Sequence, residues 1–113
     1  MIHWLRRWKS LVNDKILSMI GLACKAGKVV SGEFSVEKSV KCGKASVVVL
    51  AGDVSENTKK KFTNMCAYYK VPLYMHGTKE SLGRATGKEY RASIAIQDEG
   101  FKKAIVKLVD SSK

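Results

Sequence analysis

The residues able to do acid–base, nucleophilic or metal chemistry are few and scattered. The chain holds two histidines, His3 and His76, and three cysteines, Cys24, Cys42 and Cys66. A nucleophile needs a base within hydrogen-bond reach, and neither histidine lies in a glycine-bounded or acid-flanked setting. Asp98 and Glu99 are adjacent, but neighbours at a helix entrance do not face one another, so capping is the expected role. No GxGxxG opens a helix after a strand, and no GxxxxGK[ST] occurs. Three cysteines without a CxxC pair make neither a disulfide framework nor a zinc site. They are expected as small apolar residues, buried in a reducing compartment. The expectation is a protein that is not an enzyme and carries no cofactor and no metal.

Binding chemistry is better represented. In Lys25–Lys38 a short strand ends at Ser31-Gly32 and a helix begins at once. A helix N-terminus presents unpaired N–H groups and the positive end of a dipole, a seat for phosphate or base acceptors. Lys38 and Lys41 lie about one turn apart and Lys28 precedes the turn, so the three could frame one electropositive patch. The alternative is a tight strand-to-helix turn with solvated lysines. A second segment, Ser81–Ser93, packs two glycines, Arg84, Arg91, Lys88 and Tyr90 between a short helix and a strand. Arginine and tyrosine can stack on splayed bases. The run Lys59-Lys60-Lys61 spreads around a helix turn and reads as a solvated face.

The charge supports a polyanionic partner. Lysine and arginine number 21 against 10 acidic residues, a formal net charge of +11 on 113 residues. Such a surplus drives association with nucleic acid through counterion release. No apolar run reaches the roughly 20 residues of a membrane-spanning helix, and the opening dozen residues lack the uninterrupted apolar stretch of a signal peptide. The protein reads as cytoplasmic, with no membrane partner.

The elements that must position these residues alternate. Asn13 or Asp14 can cap a helix bearing Ile16, Leu17, Met19, Ile20 and Leu22, which Gly27 stops. Val29-Val30 is a short strand. A second helix runs from about Glu33 to Cys42 with Phe34, Val36 and Val40 inward and Gly43 as its stop. Ala45–Ala51, almost wholly apolar and β-branched, is a strand covered on both faces. Ser55 caps a third helix through about Tyr69, with Phe62, Met65, Cys66 and Tyr69 inward. Leu73–Met75 is a strand, and Thr78 opens a short helix ending near Gly87. Ser93–Gln97 is a strand, and Asp98 caps a last helix carrying Phe101, Ile105, Leu108 and Val109. This order predicts an α/β fold, a three-layer α/β/α sandwich with a small mixed central sheet. Residues 13–113 form one domain, and residues 1–12 form a basic, aromatic extension in which Trp4 and Trp8 share a helical face. That segment is an extra packed turn or a frayed end, with a short basic amphipathic membrane anchor as the less favoured alternative.

Lys15–Ala23, Ala26-Gly-Lys28, Ser31-Gly-Glu33, Val48–Ala51 with Asp53, Ser55–Lys61 and Leu82-Gly-Arg-Ala-Thr-Gly87, in this order, resemble the L7Ae/L30e ribosomal protein family, in its bacterial YlxQ-type branch. The resemblance covers about Lys15 to Val109. It implies a three-layer sandwich that binds sharply bent kink-turn RNA. In the family, the turn opening the second helix reads tandem sheared G·A pairs, and the later loop covers an extruded nucleotide. Gly32, Glu33 and Lys38 fall on that turn and helix. Leu82, Gly83, Ala85 and Gly87 fall on the second motif, with Arg91, Ala92 and Ser93 in the loop beyond. Where archaeal members place Asn-Glu in the turn, this chain has Phe34-Ser35. Phenylalanine cannot pair with a purine edge; it can stack or enter the core, and the core is the expected fate.

The site read from the chain is therefore Lys28, Gly32, Glu33, Phe34, Ser35, Lys38, Lys41, Leu82, Gly83, Arg84, Arg91 and Ala92. The expected partner is structured RNA, ribosomal or regulatory, with association with the ribosome and a monomeric state. Two other functions fit the same pattern: the RNA-recognition domain or partner of an rRNA-modifying enzyme, and a protein-interaction module using Trp4 and Trp8.

Overall fold

The computed structural model describes residues 15–111. The extension at residues 1–12 and the capping role of Asn13 or Asp14 lie outside the described residues. Along the chain run α1 (Lys15–Lys25), β1 (Val29–Ser31), α2 (Glu33–Lys41), β2 (Val47–Leu50), α3 (Glu56–Tyr69), β3 (Leu73–Met75), α4 (Lys79–Ala85), β4 (Ser93–Ile96) and α5 (Glu99–Ser111). The sheet order is β1-β4-β2-β3, with β4 antiparallel to β1 and β2, and β2 parallel to β3. The expected mixed sheet is present.

Strand side chains alternate faces, so one central strand serves two cores. Val47 and Val49 of β2, with Ile94 and Ile96 of β4, pack against Ile16 and Ile20 of α1, Leu82 of α4 and Ile105 of α5. Val48 and Leu50, with Ala95, pack against Val36 and Val40 of α2 and Phe62, Met65 and Cys66 of α3. These two cores are the outer boundaries of the sheet layer in a three-layer sandwich. Ser55 accepts from the Thr58 N–H, and Thr78 and Ser81 cap each other reciprocally at the start of α4. Asp98 Oδ2 accepts from the Phe101 N–H at 3.0 Å.

Three sequence expectations fail in the packing. Phe34 is 80% exposed rather than in the core. It sits two residues from buried Val36, and on a helix those positions point about 200° apart. Tyr69 is exposed at the end of α3, where it meets Tyr68 edge-on with ring centroids 4.9 Å apart. Cys42 caps the C-terminus of α2 and is exposed, while Cys24 is half-buried and Cys66 buried. Burial pushes the Cys66 thiol up to about 11. No described helix is long and apolar enough to cross a membrane.

Candidate nucleic-acid interface

The two segments singled out by residue type meet in space. β1 and β4 pair with Ser31 opposite Ile94, which places the start of α2 beside the loop that enters β4. Gly32 is the N-cap of α2, at φ 94° and ψ 148°, and its N–H donates to the Ser93 carbonyl at 3.1 Å. That backbone conformation is essentially reserved for glycine. No side chain caps α2, so the N–H groups of its first turn stay open at the positive end of the helix dipole.

The loop between α4 and β4 is held by backbone contacts. Lys88 N–H donates to the Gly83 carbonyl at 2.7 Å, Arg91 N–H to Lys79 at 3.0 Å, and Ala51 N–H to Ala92 at 2.8 Å. A Cβ on Gly83 would stand 2.5 Å from the Glu89 carbonyl oxygen and 2.8 Å from the Tyr90 nitrogen. Glycine there lets the loop fold directly over α4. Across the junction, Arg91 donates from Nε to Ser31 Oγ at 3.0 Å and from a terminal nitrogen to the Tyr90 carbonyl at 3.0 Å. Tyr90 is exposed. Beneath the junction the Ser93 hydroxyl is fully buried and has no hydrogen-bond partner.

The charged groups of α2 are sorted by face. Lys61 of α3 meets Glu33 at 2.8 Å and Glu37 at 3.1 Å, and Lys41 meets Glu37 at 2.8 Å. Hydrogen bonds from Lys41 and then Lys61 hold the Glu37 carboxyl below its ordinary range. The same contacts raise both lysines, Lys61 chiefly through Glu33 and Lys41 through Glu37. Lys61 is thus an ion-pair partner rather than only part of a solvated run.

Of the residues expected in the site, Gly32, Glu33, Phe34, Ser35, Arg91 and Ala92 gather at the junction. Lys38 lies farther along α2 on the Phe34 side. Of the three lysines expected to frame one patch, Lys41 pairs with Glu37, while Lys28, at the end of β1 away from the junction, accepts through its carbonyl from the N–H of Gln97, whose side chain bonds Ser39 next to Lys38. Leu82 is fully buried among the α1 and sheet side chains, and Gly83 is buried beneath the loop. Both shape the site from below. Arg84 pairs with Glu80 at 2.7 Å and borders Leu17 and Ser18 of α1. Ser31, the anchor for Arg91, was missed; a serine at a strand end carries no signal until its partner is known.

The chain is thus a basic three-layer sandwich in which the uncapped start of α2 meets a loop folded over Gly83. Residues 14–106 match the Ribosomal protein L7Ae/L30e/S12e/Gadd45 family, and the chain belongs to it. It is 45% identical over 92 residues to the RNA-binding protein YlxQ of Bacillus subtilis, spanning 81% of this chain and 92% of that one. A large ribosomal subunit protein eL30 of Methanothermobacter thermautotrophicus is 32% identical over 83 residues, 72% of this chain and 85% of its own. A solved protein of unknown function from Bacillus halodurans C superposes with a TM-score of 0.81 at 38% identity, covering 85% of this chain and 97% of that one. The Giardia lamblia 15.5kD RNA binding protein shares the fold, with a TM-score of 0.72 at 20% identity and 88% of each chain covered.

Proposed function

We propose that this protein binds structured RNA of the kink-turn kind, without catalysing a reaction on it, at the junction of the α2 start and the 86–92 loop. The observation that carries the reading is the Arg91–Ser31 contact, which locks an open helix N-terminus and an exposed loop tyrosine into one face. The relatives named as RNA-binding and ribosomal proteins support it, as does the +11 charge. Open N–H groups at Glu33, Phe34 and Ser35 suit acceptor atoms on base edges or phosphates. Arg91 has further guanidinium donors beyond the two used internally, and Tyr90 offers a ring face to an unstacked base. The protein works as a cytoplasmic monomer on ribosomal or regulatory RNA, in association with the ribosome.

The test is a titration at near-physiological salt against two RNAs of equal length and charge. One carries an intact kink-turn; in the other, Watson–Crick pairs replace the tandem G·A pairs. A strong preference for the intact motif is expected. Equal, steeply salt-dependent binding would reduce the interaction to net charge and end the kink-turn reading.

A further inference from the structure

A lone exposed aromatic carries no message by itself, but Phe34 forms one wall of a groove. The groove, about 260 Å³, runs between α2 and the edge strand β1, lined by Val30, Phe34, Lys38, Ser39, Lys44 and Gln97. Phe34 and Lys38 are four residues apart and so share one side of α2. The acidic residues of that helix, Glu33 and Glu37, are held by Lys61 on the α3 side. Lys38 and Lys44 form no ion pair among the described residues, and both are exposed. Val30 is a partly buried apolar floor. At the far end, the Gln97 amide donates to Ser39 Oγ at 2.8 Å, so the groove has a fixed polar wall whose amide oxygen can still accept.

An aromatic face, an apolar floor, an amide edge and two uncompensated cations are the complement of one nucleotide: a flat base joined to a phosphate. We propose that this groove takes an unpaired nucleotide of the bound RNA, its base stacked on Phe34 and its backbone phosphates against Lys38 and Lys44. The inference rests on the RNA-binding reading and extends the footprint from the junction down the outer side of α2. It gives the phenylalanine in the helix start a positive role in place of the hydrogen bonds it cannot make.

The test uses the full chain and the intact kink-turn RNA, with abasic sites placed in turn at each unpaired position, including single-stranded flanks. Phe34→Ala is expected to weaken binding about tenfold to a hundredfold, the range of one lost base–aromatic stack, while Phe34→Tyr keeps affinity near wild type. One abasic position is expected to weaken wild-type binding by a similar factor and to add nothing in Phe34→Ala. Lys44→Ala is expected to lower the salt slope by about one. Because Phe34 is 80% exposed, an unchanged melting temperature for Phe34→Ala shows that the fold is intact. Wild-type affinity in Phe34→Ala, or abasic losses that simply add to it at every position, overturns the groove while leaving the junction in place. Failure of the wild-type chain to prefer the kink-turn overturns the underlying reading as well.

Discussion

Arg91 and Ser31, 60 residues apart in sequence, meet at 3.0 Å and join the two halves of the proposed RNA face. The contact has two roles. It fixes the loop against the helix start, and it aims a guanidinium along the face. Arg91→Ala removes both and is expected to weaken kink-turn RNA by about 1–3 kcal/mol. Ser31→Ala removes only the anchor and should cost less. Isothermal titration of the two variants checks the order; equal losses would mean that Arg91 acts through position alone.

Gly83→Ala tests the loop's support. Its Cβ would meet backbone atoms of Glu89 and Tyr90 that cannot rotate away. An overpacking cost of about 1–3 kcal/mol is expected in urea denaturation, with a larger fractional loss of RNA affinity than of stability at neighbouring surface sites. A variant as stable as wild type would show that the loop yields freely.

The two grades of legibility in the sequence have a physical basis. Val47–Leu50 declared a strand buried on both faces, because only apolar side chains satisfy two cores at once. The caps at Ser55, Thr78 and Asp98 were legible because their hydrogen bonds are local. Hydrophobicity alone predicts burial for Phe34, Tyr69 and Cys42, yet Phe34 and Tyr69 lie on exposed parts of their helices and Cys42 is an exposed C-cap. The pairing of Lys61 with Glu33 depends on how α2 packs on α3, across 28 residues, and no local pattern encodes it. The motif residues Leu82 and Gly83 lie buried beneath the proposed site.

The Glu33–Lys61–Glu37–Lys41 network has a definite pH signature. Glu37 is lowered from 4.5, so its contribution is complete above that value and fades as pH falls through the lowered one. Lys41 and Lys61 are raised from 10.5, so theirs is complete below that value and lost as pH rises through the raised ones. Both lysines are exposed and Glu37 is partly so, and salt screens the network, so the effect is small. Lys61→Met should lower the melting temperature slightly and evenly across neutral pH, with the difference shrinking in acid as pH falls through the lowered Glu37 value. A difference that persists in acid would place its cause in packing.

The most direct test of the central claim is to follow backbone amide resonances of the isotope-labelled chain as kink-turn RNA is added. The account predicts the largest shifts at Gly32–Lys38 and at Lys88–Ala92, with the exposed lysines of α5, Lys103 and Lys107, little changed. Shifts concentrated on α5, with the Ser31–Arg91 junction unmoved, would contradict it.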